Sequence, residues 1–135
     1  MVCIYCSGST DITNSRLQKR RNSVWRRRRC QSCGAAFTSI EQASYDLSLS
    51  FKDGTSHIVP FQRDTLFLSL YDACKHRQRA AAEAGDLTDT VIHKLLNGNV
   101  HDGQVTRTDL IRLVSETLSA FDSAAHVHYN AYHHL

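Results

Sequence analysis

Residues 22–33 read NSVWRRRRCQSC, so Arg26, Arg27, Arg28 and Arg29 run directly into a Cys-x-x-Cys pair. Four adjacent cations repel one another, and a folded domain keeps them together only if something fixes the backbone and something else neutralises the charge. The cysteines meet the first condition. Cys30 and Cys33 have a counterpart in Cys3 and Cys6, with 23 residues between the two pairs. Two such pairs can set four thiolates in a tetrahedron, the arrangement that suits one structural Zn²⁺ per chain. Two disulfides, or free buried thiols, are the competing readings. A reducing compartment disfavours disulfides, and a segment this short with few large apolar groups needs a staple to fold. Cys74 falls in a helical pattern and reads as a small core residue.

With Cys30 as a ligand, the arginine run is pinned to a rigid knuckle. In an extended strand, alternate side chains point to opposite faces, so Arg26 and Arg28 project one way and Arg27 and Arg29 the other. Trp25 supplies an apolar or stacking surface beside them. A merely solvated basic face is the bland reading. Phosphate contacts, or bidentate readout of guanine, explain the four consecutive arginines better.

Charge is divided along the chain. Residues 1–40 hold eight Lys/Arg against one acid, net +7, while the other 95 hold eight against twelve, net −4. A length of 135 residues suits one ordinary domain or two small ones. The charge division favours two, residues 1–42 and 43–135, the first meeting a polyanion. There is no apolar run near membrane-span length and no signal-peptide core, so a soluble, cytoplasmic protein without a membrane partner is expected.

The second segment opens with YDLSLSFKDGTSHIVPF. Tyr45, Leu47, Leu49 and Phe51 alternate with Asp46, Ser48, Ser50 and Lys52, which predicts one half-buried strand. Asp53-Gly54 is a hairpin turn signal and Ile58-Val59 a short return. Pro60 sits where a helix could start. Leu66, Phe67, Leu70, Tyr71 and Cys74 form a helical stripe that the alanines at 80–82 and 84 extend until Gly85 breaks it. A second helix then starts near Asp86 and stops at Asn97-Gly98. A third opens at Thr106-x-x-Asp109, a capping-box-like start, and a short fourth segment is rich in His and Tyr. The fold class predicted is α+β: a zinc ribbon, then a β-hairpin with about four helices.

This order is similar to the bacterial NrdR family, transcriptional repressors of ribonucleotide reductase genes. Ser15-Arg16-Leu17, Ser23-Val24, the four arginines and Phe37-Thr38 match the family's ribbon in order and spacing. The resemblance implies that the second segment is an ATP-cone, a nucleotide-sensing and oligomerisation module. Lys52-Asp53-Gly54 and Pro60-Phe61 resemble its signature. It further implies that Lys52, Asp53, Gly54 and Phe61 bind ATP or dATP as effector, with Arg63 standing in for the lysine missing at Thr65. Four positions depart from the family's pattern: Asn14 stands for an Asp, Trp25 is inserted before the arginines or replaces the first of them, Val59 stands for an acid, and Thr65 for a lysine.

The expected function is therefore a zinc-dependent, sequence-specific repressor, with Arg16 and Arg26, Arg27, Arg28 and Arg29 contacting DNA on phosphates and base edges. Its partners are a double-stranded DNA operator, adenine nucleotides and further copies of itself, at the bacterial nucleoid. A zinc-ribbon adaptor that binds RNA or the ribosome, without a nucleotide switch, is the alternative. An enzyme is not expected: no phosphate-binding glycine loop or supported catalytic set is present, and a Cys₄ zinc leaves no open coordination position. His126, His128, His133 and His134 lack an i, i+4 pair and read as a solvated or oligomer-contacting tail.

Overall fold

A computed structural model describes residues 1–133 and divides the chain into two compact units, Met1–Ala43 and Ser44–Leu135. His134 of the histidine-rich tail lies outside the described residues. The mixed α and β content agrees with the α+β class.

The first unit is an antiparallel sheet of β1 (Thr10–Gln18), β2 (Ser23–Cys30) and β3 (Ala36–Gln42), in that order. A 3-10 turn, Lys19–Arg21, joins β1 to β2 and closes on Asn22, whose left-handed backbone (φ 46) is one that Asn tolerates. A register irregularity between Ile12 and Asn14 leaves Thr13 unpaired, and its hydroxyl donates to the Arg27 carbonyl at 3.2 Å. The sheet buries little beyond Cys3, Cys30 and Phe37. So small an apolar core does not hold three strands by itself; the cysteine end has to supply the rest.

The second unit contains α1 (Tyr45–Ser48), β4 (Ser50–Lys52), β5 (Ile58–Pro60), α2 (Arg63–Cys74) and α3 (Ala80–Leu96). It continues with β6 (Gln104–Thr106), α4 (Arg107–Phe121) and α5 (Ser123–Tyr132). Phe61, Leu70, Cys74, Val91, Leu95, Val105, Val114 and Leu118 are fully buried and make its core. The capping-box reading holds: the Thr106 hydroxyl accepts from the Asp109 amide at 3.1 Å.

Three expectations are corrected. The strand predicted from Tyr45 onward begins as a helical turn. Tyr45 and Leu49 are four apart, so one turn packs both half-buried against the core, with the Leu49 amide donating to the Tyr45 carbonyl at 2.8 Å. Leu47, which alternation placed inside, is 86% exposed. Only Leu49 and Phe51 keep the strand period.

Gly85 does not break a helix. It lies within α3, whose buried stripe runs through Ala80, Ala84, Leu87, Thr88, Val91, Ile92 and Leu95. The break falls earlier, after Cys74, where Arg77 is tied to Glu83 at 2.6 Å and to Asp122 at 2.7 Å and lies over the Phe121 ring.

The hairpin also gains a third strand. β6 pairs in parallel with β4, Phe51 opposite Val105 and Lys52 opposite Thr106, giving the order β5-β4-β6.

Candidate metal centre and ligand-binding surfaces

Both cysteine pairs sit in tight turns that aim backbone N–H groups at sulfur. The Tyr5 amide donates to Cys3 Sγ, and the Ser32 and Cys33 amides to Cys30 Sγ, each at 3.4 Å. Across the pairs, Cys3 Sγ lies 3.8 Å from Cys33 Sγ and Cys6 Sγ lies 3.4 Å from Cys30 Sγ. All four sulfurs fall within 4.8 Å of one another. A tetrahedral Zn²⁺ with bonds of about 2.3 Å needs sulfurs about 3.8 Å apart. Donor type, number and spacing all fit. The Cys33 amide, then that of Ser32, draws the Cys30 thiol down to about 6 against the effect of burial. The Gly8 amide lowers Cys6, yet the Cys30 and Cys33 sulfurs push it up to about 12. Neighbouring sulfurs thus disfavour a thiolate at Cys6, and a divalent cation in place of the protons would remove that conflict.

Strand alternation splits the arginine run as the sequence predicts. Arg26 and Arg28 share a face with Phe37, Ser39 and Glu41, while Arg27 and Arg29 share the other with Trp25, Thr38 and Ile40. Arg26 donates to Glu41 Oε2 through Nη2 at 2.7 Å and to Ser15 Oγ through Nη1 at 3.1 Å. Arg28 donates to Ser39 Oγ at 2.9 Å and to Thr10 Oγ1 at 3.4 Å. On the opposite face Arg27 makes one long bond, to Thr38 Oγ1 at 3.3 Å. Arg29 and Arg16 are exposed, with no side-chain partner among the described residues. Asp11, opposite Arg29, accepts from Gln31 Nε2 at 2.9 Å instead.

In the second unit a pocket of about 560 Å³ opens beside the hairpin. Phe51, Phe61, Leu66, Leu110, Ile111 and Tyr129 give it apolar walls, and Asp53, Gln62, Thr65, Ser69, Arg107 and His133 give it polar groups. The Thr55 hydroxyl, then its amide, holds the Asp53 carboxyl below its usual range. Burial pushes the Tyr129 phenol up to about 12, so it stays a neutral donor.

Residues 1–41 match the family described as transcriptional repressor NrdR-like, N-terminal domain. Transcriptional repressor NrdR from a Methylobacterium species is 32% identical over 131 residues, covering 96% of this chain and 68% of that protein. The repressors of the same name from Tropheryma whipplei and Symbiobacterium thermophilum are each 30% identical, with 84% of each covered. The chain belongs to the NrdR family. The role carried by these names is repression of transcription, not catalysis, and the four cysteines lie within the part that matches the NrdR zinc ribbon, positioned to bind a metal. Among the described residues no helix is long and apolar enough to cross a membrane.

The NrdR resemblance also frames which residues converge. Of those it implied for nucleotide, Asp53 and Phe61 line the pocket, as do Val59 and Thr65, the two departures from the family signature. Lys52, Gly54 and Arg63 are not among the lining residues; Lys52 is exposed at the end of β4, and Arg63 is bonded to Asp89 at 2.7 Å. Sequence reading missed Arg107 and Tyr129. Arg107 follows the cap residue Thr106, and the parallel β4–β6 register sets Thr106 opposite Lys52, which carries Arg107 to the hairpin. Exposed Lys19 and Arg20, in the β1–β2 turn, were also passed over.

In the tail, His126 is bonded to Ser115 at 3.0 Å and to Asn130 at 2.8 Å, and His133 to Ser69 at 3.2 Å. His128 stands 3.9 Å from Asp72. Among the described residues the Cys3, Cys6, Cys30 and Cys33 group is the one set placed to hold a metal.

Proposed function

We propose that this chain is a zinc-dependent, sequence-specific repressor that binds double-stranded DNA through its ribbon. The observation that carries the reading is a sheet that ends in four clustered cysteines and presents exposed arginines, Arg16, Arg27 and Arg29, with no acid paired to them. Such a surface gains free energy by releasing counterions from a phosphate backbone. Cys3, Cys6, Cys30 and Cys33 hold the zinc. The resemblance to NrdR supports ribonucleotide reductase genes as the target, in the bacterial cytoplasm at the nucleoid.

ATP and dATP govern assembly through the second unit. Its pocket falls within the size range that takes small molecules, and aromatic walls suit a purine. Arg107 draws the phosphate end, and the Asp53 carboxylate repels it. Leu68 on α2 and Val127 and Tyr132 on α5, exposed apolar groups on two helices packed together, support self-association. Pairing ribbons in this way lets one assembly engage two half-sites.

Titration of ATP and of dATP, with assembly mass and duplex affinity as readouts, tests this. A change of mass accompanied by a change of affinity is expected. No change with either nucleotide contradicts the switch, and equal competition by single-stranded RNA contradicts the duplex partner.

A further inference from the structure

We infer that one face of the ribbon, carrying Arg16, Arg27 and Arg29, contacts the DNA, whereas Arg26 and Arg28 are half-buried clamps that tie the three strands together on the other face. This rests on the duplex-binding reading above and divides its five arginines into two jobs.

The division follows from register. Arg27 and Arg29 are two apart on the central strand, hence about 6.8 Å apart along one face. Arg16 lies opposite Trp25 on the neighbouring strand of that same face. It is thus diagonal to Arg27, roughly 7–8 Å away. Trp25 and Ile40 fill the row beside Arg16 with apolar surface. The acid on this face, Asp11, is engaged by Gln31. Three guanidiniums therefore stand ready for phosphate.

The other two are occupied. Arg26 reaches Ser15 on β1 and Glu41 on β3, and Arg28 reaches Thr10 on β1 and Ser39 on β3. Each spans all three strands from the central one. Arg26 is also ion-paired with Glu41 at 2.7 Å. A sheet whose apolar core amounts to Cys3, Cys30 and Phe37 gains lateral stiffness from such cross-strand ties.

The test uses the full-length, zinc-loaded protein and a duplex oligonucleotide of random sequence, with affinity measured against salt. Arg27→Gln with Arg29→Gln lowers the log–log salt slope by roughly 0.9 per arginine lost, with zinc content and melting unchanged. Arg26→Gln with Arg28→Gln leaves the slope as in the parent but lowers the melting temperature. Should that pair fail to fold, Arg28→Lys serves instead. It keeps the charge but loses the fork, so melting falls while the slope stays. An equal loss of slope from the Arg26 and Arg28 variants in protein still holding zinc overturns the division alone. A parent protein with no duplex affinity overturns the underlying reading, and the division with it.

Discussion

Gly8 lies so close to Ser32 that a Cβ built on it would stand 2.6 Å from the Ser32 hydroxyl oxygen, 3.0 Å from its Cβ and 3.3 Å from Cys30 Sγ. The hydroxyl could rotate away; the Ser32 Cβ and the sulfur cannot. The Gly8 backbone packs against the Ser32 and Cys30 side chains here because both pairs of cysteines must reach one centre. Gly8→Ala is therefore predicted to push the knuckles apart. Zinc affinity should fall by tenfold or more, a loss of about 1.4 kcal/mol, as measured by competition with a chromogenic chelator. Unchanged affinity would mean that the turn relaxes freely.

Gly85 provides the opposite case. Nothing lies within 4 Å of the position its Cβ would take, and it sits inside α3. Gly85→Ala should stabilise the helical unit by roughly 0.5–1 kcal/mol, because alanine loses less backbone entropy in a helix. Denaturant titration followed by circular dichroism measures this directly.

Much of the first unit is legible in the sequence because its signals are local. Cysteine spacing names the metal donors, and the period of two assigns Arg26 through Arg29 to alternate faces. The second unit shows where local signals end. Tyr45, Leu47, Leu49 and Phe51 satisfy a period of two, but Tyr45 and Leu49 satisfy a helical turn equally well, and tertiary packing chose the turn. Gly85 reads as a breaker on propensity alone, yet the apolar stripe from Ala84 to Leu95 outweighs its cost. β6 has only three residues, and its parallel partner β4 lies about fifty positions earlier. No window around Arg107 reveals that this pairing brings it to the pocket.

Acid sensitivity should trace in part to Asp122. The Ala125 amide, then Arg77, lowers its carboxyl from 3.8 to about 2. A carboxylate depressed in the folded state favours folding above its unfolded pKa. That contribution is lost as pH falls through the folded one. Asp122 therefore stabilises α5 at neutral pH, and its contribution disappears between about pH 4 and pH 2. Asp122→Ala is expected to lower the melting temperature at pH 7 by a few degrees and to flatten the decline over that acid window. Thermal melts at stepped pH give the comparison.

In the pocket, Arg107 is the arginine placed to meet an anion. Arg107→Ala should weaken ATP binding at least tenfold, about 1.4 kcal/mol, whereas Lys52→Ala, outside the lining, should weaken it less. Calorimetry at millimolar nucleotide distinguishes the two. The reverse order would return the phosphate contact to the end of β4.

The central claim is that a zinc-fixed ribbon face binds duplex DNA. It is tested most directly by following duplex affinity and bound zinc together as a chelator strips the metal under reducing conditions. We predict that affinity falls in proportion to the zinc removed and returns when zinc is restored, with the helical unit's circular dichroism unchanged throughout. Full duplex affinity in the zinc-free protein would contradict it.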